Sequence, residues 1–206
     1  MPDKTPIKLY AAPISGHSHR ARLMLSLLDL PFEEIPVDLK TREQKSPGFL
    51  ALNIFGQIPV LDDNGVVISD SNAILIYLAM RYDETRRWLP TDAVAAAEIQ
   101  RWLSAAAGLL AFGPAAARLN RLLGAPCTRS EVEQRAASLF TAMDQILGRQ
   151  RFLAGEAVTI ADIALYTYTA VADEGGLSLD PYPAIRPWLT RIEALPRFLA
   201  MRRTAA

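Results

Sequence analysis

Little in this 206-residue chain can hold a metal ion or a disulfide. It has one cysteine, Cys127, and two histidines, His17 and His19. A single cysteine forms no intramolecular disulfide and no multi-cysteine zinc site, which fits a reducing compartment. An excess charge of one sign is also missing. Lysine plus arginine is 22, and aspartate plus glutamate is 22. A chain without net charge has no field for gripping nucleic acid or an anionic membrane. The opening MPDKTPIKLY lacks the apolar core of a signal peptide. No run long enough to span a bilayer appears, because the alanine-rich stretch near residue 100 is broken by Glu98, Gln100 and Arg101. A soluble cytoplasmic protein with no nucleic-acid or membrane partner is expected. Apolar residues make up 50% of the chain, enough for one large domain or two small ones.

The first eighty residues alternate short apolar runs with helical spacing. Ile7–Ala11 reads as a strand, and Arg20 to Leu30 as a helix that Pro31 stops. Glu34–Asp38 reads as a second strand, and Pro36 puts it at a sheet edge. Strand, helix, strand predicts a parallel pair. Ile58–Leu61 and Val66–Ile68 then flank Asp62-Asp63-Asn64-Gly65, and Asn-Gly is a hairpin turn signal. Ser71 to Arg81 returns to helical spacing. The order βαβ-ββα is that of a thioredoxin-like α/β domain. Composition shifts near Asp83, and the remainder is helical and alanine-rich. The expected division is a thioredoxin-like domain over 1–82, a linker over 83–91 and an all-α domain over 92–206. Within the latter, Thr128-x-x-Glu131 reads as a capping box, and Thr159 to Asp162 as a second cap preceded by a stapling Val158.

Three stretches carry chemistry. The first is Pro13 to Arg22, PISGHSHRAR, which holds both histidines. As a hydrolase site it lacks the G-x-S-x-G elbow and the spacing of a triad. As a metal site it fails because residues two apart on a helix face different sides. As a helix entry its serines accept backbone N–H groups, and such an entry stabilises an anion. A thiolate brought there would be stabilised, with a serine hydroxyl donating to the sulfur. Cys127 is far away in sequence, so that thiol belongs to a ligand. The second stretch is Asn53 to Leu61, where Ile58–Pro59 is either a cis bond or a plain proline turn. In the cis form the Ile58 backbone would pair with a peptide-like ligand. The third is Ile68 to Ala73, where Ser71 suits a carboxylate and Asp70 an ammonium, or Asp70 simply caps a helix.

Together these stretches resemble a cytosolic glutathione S-transferase over nearly the whole chain. The most specific part is Phe49 to Asn53 and Gly56 to Leu61, followed by Asp70-Ser71. The resemblance is to serine-type members of the theta, zeta and phi kind. It implies glutathione as co-substrate, no metal, a homodimer, and Ser15 as the catalytic donor to the glutathione sulfur, with Ser18, His17 and Tyr10 as alternatives. It implies that Gln44, Lys45 and Gln57 hold the glycine end, that Ile58 before Pro59 pairs with the cysteinyl unit, and that Asp70 and Ser71 hold the γ-glutamyl head. An apolar electrophile would meet Ala11, Ile14, Leu109 and Phe112, with Arg118 or Arg121 near an anionic substrate. Two positions depart from the family pattern: Ile54 follows Asn53 where proline is usual, and Asp70 replaces a glutamate. The implied activity is attack of the glutathione thiolate on a small hydrophobic electrophile. Peroxide reduction, thiol-addition isomerisation or dehalogenation, and glutathione binding without turnover are the alternatives.

Overall fold

The computed structural model describes residues 6–204. The outermost ends of the two expected domains, residues 1–5 and 205–206, lie outside the described residues. β1 (Ile7–Ala11) alternates buried and half-buried residues, as a strand covered unequally on its two faces must. Leu9 and Ala11 are fully buried, while Tyr10 turns to the opposite face and packs with Val37, Phe49 and Val60. α1 (Gly16–Leu27) follows, then β2 (Phe32–Pro36), which pairs parallel with β1. α1 begins four residues before the predicted Arg20, because Ser15 caps it.

A short 3₁₀ turn (Glu43–Lys45) and α2 (Pro47–Leu52) lead to β3 (Val60–Asp63) and β4 (Val66–Ser69). Sequence periodicity does not signal α2, whose six residues are too few to show a period. β3 pairs antiparallel with both β1 and β4, giving the mixed order β2-β1-β3-β4. The β3–β4 turn uses positive φ at Asn64 (53°) and Gly65 (90°), the requirement that makes Asn-Gly a hairpin signal. α3 (Ser71–Tyr82) packs beside α1. β2 is an edge strand, where Pro36 costs no ladder bond. This is the thioredoxin-like layer.

The chain separates into two compact units, one of Met1–Glu84 with Pro196–Arg202, the other of Thr85–Leu195 with Arg203–Ala206. The second unit is helical: α4 (Ala93–Ala105), a wider π-helical stretch (Ala106–Ala115), α5 (Ala116–Leu123), α6 (Arg129–Leu147), α7 (Ile160–Ala170) and α8 (Ile185–Glu193). Ala93–Leu123 is one continuous helical run, long and apolar enough by composition to cross a bilayer. Half of its most apolar window is buried inside the protein, as in a core helix. Two of its charged residues, Glu98 and Arg101, are exposed and paired with each other.

α7 is the core of this unit and is buried along all but its last residue. Its start is held by Asp162, which accepts from the Thr159 amide (2.9 Å), the Leu153 amide (2.9 Å) and Trp188 Nε1 (2.9 Å). The predicted capping box at Thr159 is therefore formed. The one predicted at Thr128 is not. Thr128 stands at the N-cap of α6 without a side-chain bond, and Glu131 reaches forward to Arg135 at 3.0 Å instead. Both partners are exposed, and an i,i+4 ion pair competes there with the cap.

Candidate active site

The strand register decides which loops meet. Tyr10 sits opposite Val60, and Val60 opposite Ser69. The residues after β1, before β3 and after β4 therefore share one end of the sheet. Those residues are the entry to α1, the Ile58–Pro59 bond and Asp70-Ser71.

At the α1 entry, Ser15 has extended backbone and its Oγ accepts the Ser18 amide at 3.1 Å. The cap satisfies one first-turn donor and leaves the Gly16 and His17 amides at the positive end of the helix. Ser15 is half-buried, so its hydroxyl proton can still reach a ligand. Ser18 is fully buried and its Oγ accepts from the Ala12 amide at 3.4 Å. Of the alternative donors, Ser18 thus lies beneath the helix start and Tyr10 on the other sheet face, edge-on to Phe49 at 6.3 Å.

The two histidines part company. His19 Nε2 bonds to the Leu199 carbonyl at 2.7 Å, in the segment Pro196–Arg202 that returns to this unit. Burial lowers its pKa to about 4, the Leu199 carbonyl opposing the shift and Arg22 adding to it. His17 Nδ1 lies 3.3 Å from Ser71 Oγ, and burial with the nearby Arg20 charge brings its pKa down to about 3. Both rings are neutral near pH 7.

At the far side, Asp70 caps α3, accepting from the Asn72 and Ala73 amides at 2.8 and 2.9 Å. It does so with φ of 80°, a left-handed value that costs a non-glycine residue free energy. The cap takes the second and third amides of α3 and not the first, Ser71's. Ser71 Oγ accepts from Arg20 Nη1 at 2.8 Å, and the same nitrogen reaches Asn72 Oδ1 at 2.7 Å.

Ile58–Pro59 is cis. Ile58 lies two residues before β3, outside its ladder. Lys45 Nζ donates to the Phe55 carbonyl at 2.8 Å, and the Asn53 amide group to the Gln57 carbonyl at 2.8 Å. Gly56 has φ of 56°, and a Cβ there would lie 2.6 Å from the Gln44 carbonyl oxygen. The buried Gln44 Oε1 has no hydrogen-bond partner among the described residues. The structure thus brings Gln44, Lys45 and Gln57 to one loop, and His17 to Ser71.

Among the residues assigned to an electrophile pocket, Ala11 is fully buried. Ile14 is half-buried. Leu109 and Phe112 belong to the π-helical stretch of the second unit, where Phe112 is exposed. Arg118 is corrected outright: it is buried and pairs with Glu174 at 2.7 Å, so its charge is spent inside the fold. Sequence reasoning missed Arg20, Asn72 and the role of Asn53. Nothing in the sequence marks Arg20, since a charge beside an apolar helical stripe reads as solvated.

A thioredoxin-like sheet with a helix-entry serine, followed by a helical unit, defines a class. The models for the N-terminal and C-terminal domains of glutathione S-transferases match residues 5–80 and 124–196. The chain belongs to the glutathione S-transferase family and is a glutathione transferase. It is 35% identical over 206 residues to glutathione S-transferase 3 of Zea mays, covering 94% of this chain and 91% of that one. It is 30% identical over 197 residues to human glutathione S-transferase theta-2, covering 91% and 81%. A crystal structure of a glutathione S-transferase from Pseudomonas fluorescens superposes with a TM-score of 0.89 at 36% identity, covering 96% of this chain and 99% of that one.

Proposed function

We propose that this transferase binds glutathione along the sheet end described above, ionises its thiol at Ser15, and delivers the thiolate to a small hydrophobic electrophile. The observation that carries the reading is the hydrogen bonding of Ser15. Its oxygen accepts the Ser18 amide, which fixes the hydroxyl at the helix start with its proton still to donate. A free thiol with a pKa of about 8.5 is only a few per cent ionised at neutral pH. One charge-assisted donor and two helix-end amides favour the thiolate. The thiol proton passes to solvent. The sulfur electron pair then forms the bond to carbon, and a leaving group departs with its own pair or a conjugated acceptor takes up a proton.

Ser71 and its amide would receive the γ-glutamyl carboxylate and Asp70 the ammonium. Ile58 would pair with the cysteinyl backbone, and Lys45, Gln44 and Gln57 would hold the glycine carboxylate. Lys45 already lies over Gly56 in that loop. A cytoplasmic homodimer is part of the proposal, supported by the family. A panel of aryl halides, conjugated enones and hydroperoxides, run with glutathione, tests the activity. Turnover of the carbon electrophiles is expected. Turnover confined to hydroperoxides would replace conjugation with peroxide reduction.

A further inference from the structure

Arg20 is 1% exposed, yet it is a cation on a helix whose buried face is otherwise apolar or uncharged at this end. Burying a guanidinium carries a desolvation cost of several kcal/mol unless good hydrogen bonds offset it. Here one nitrogen, Nη1, makes two short contacts, with Ser71 Oγ and Asn72 Oδ1. Both acceptors stand in the first turn of α3. The arginine therefore ties the helix of Ser15 and His17 to the helix start that holds Ser71.

The contact also fixes what Ser71 can do. A hydroxyl has one proton and two acceptor sites. With Arg20 donating to its oxygen, the Ser71 proton is directed away from the guanidinium. The hydroxyl faces His17 Nδ1 at 3.3 Å, a neutral ring that can accept the proton in the tautomer protonated at Nε2. A carboxylate is a far better acceptor than that long contact. The Ser71 amide, which the Asp70 cap does not take, is a first-turn donor of the same helix.

We infer that Arg20 is a positioning residue for the α-carboxylate of the γ-glutamyl group, acting through Ser71 and Asn72 and setting the preference for thiols that carry that carboxylate. This rests on the assignment of Asp70-Ser71 to the γ-glutamyl head. Arg20 does not touch the ligand. It polarises and aims the hydroxyl that does, and its buried positive charge favours an anion at the start of α3.

The test compares glutathione with 4-aminobutyryl-cysteinylglycine, which lacks only the α-carboxylate. Binding of each is measured by calorimetry to the wild type, Arg20→Gln, Arg20→Lys and Asn72→Ala. The wild type should prefer glutathione by ~10- to 100-fold, the worth of a charge-assisted hydrogen bond. Arg20→Gln should erase most of that preference while leaving affinity for the shortened peptide within about twofold. Arg20→Lys should keep most of it, and Asn72→Ala should weaken it in the same direction. Equal losses for both peptides in Arg20→Gln would mean a purely structural role and would overturn the inference. If Arg20→Gln does not fold, an undiminished preference in Asn72→Ala overturns it. A wild type indifferent to the carboxylate would overturn the γ-glutamyl assignment and this inference together, whereas an intact wild-type preference retained in Arg20→Gln overturns the role of Arg20 alone.

Discussion

Ser15, Ser71 and Asp70 each hold a helix start, and the proposed function asks each to serve a ligand as well. Each caps or opens a helix, and each has hydrogen-bonding capacity beyond that task. Asp70 has spent one oxygen on the Asn72 and Ala73 amides and has the other for an ammonium. Replacing Asp70 and Ser71 together by alanine removes the donor and the acceptor of the proposed γ-glutamyl site. Glutathione affinity measured by calorimetry should fall at least ~100-fold, and unchanged binding would refute the assignment. Their places at helix starts were legible in the sequence, because a serine or aspartate between a strand and an apolar helical repeat marks a cap. Arg20 was not. A charged side chain beside an apolar stripe reads as solvated, and only the register of α1 against α3 shows that it is buried on Ser71 and Asn72.

Elements differ in how firmly the sequence specifies them. The Asn-Gly hairpin between β3 and β4 follows from local φ requirements alone. The start of α1 does not, because Gly16 and the histidines carry no apolar period and the cap at Ser15 decides the boundary. The Thr128 motif had the letters of a capping box without the bonds, since an exposed Glu131 finds Arg135 as readily as a backbone amide. At α7 burial removes that choice. Asp162 is fully buried, which raises its carboxyl pKa, while the Leu153 amide, Trp188 and Thr159 oppose the shift by donating to its charged form. Asp162→Ala would leave the Leu153 and Thr159 amides and the Trp188 indole nitrogen without this acceptor. Each buried orphan costs about 1–3 kcal/mol, so three of them predict a loss of at least roughly 3 kcal/mol in denaturant unfolding. A loss under about 1 kcal/mol would show that water or backbone movement replaces the carboxylate.

Over the whole molecule, the two-part division announces itself in composition, but the path of the C-terminal segment does not. Pro196–Arg202 has no helical period, and its return to the first unit rests on contacts such as the Leu199 carbonyl on His19 and the Arg197 carbonyl on Ser26. The burial of His19 makes stability depend on pH. In the unfolded chain the ring titrates near 6.5, and in the folded protein at about 4. Between those values the unfolded state binds a proton that the folded state excludes. This contribution is complete above about pH 6.5 and is lost as the pH falls towards 4, by about 1.4 kcal/mol per pH unit. His17 adds in the same direction. Thermal melts should therefore drop between pH 7 and pH 5, and His19→Gln should flatten that drop. An equally steep dependence in the variant would remove His19 from this role.

The central claim is that a serine at the N-cap of α1 ionises a borrowed thiol. The most direct measurement is the ultraviolet titration of the thiolate of glutathione bound to the wild type and to Ser15→Ala. The wild type should hold the bound thiol about two units below its free value of about 8.5. Ser15→Ala should bring it back up by at least about one unit. A bound thiol that titrates identically in both proteins would contradict the account.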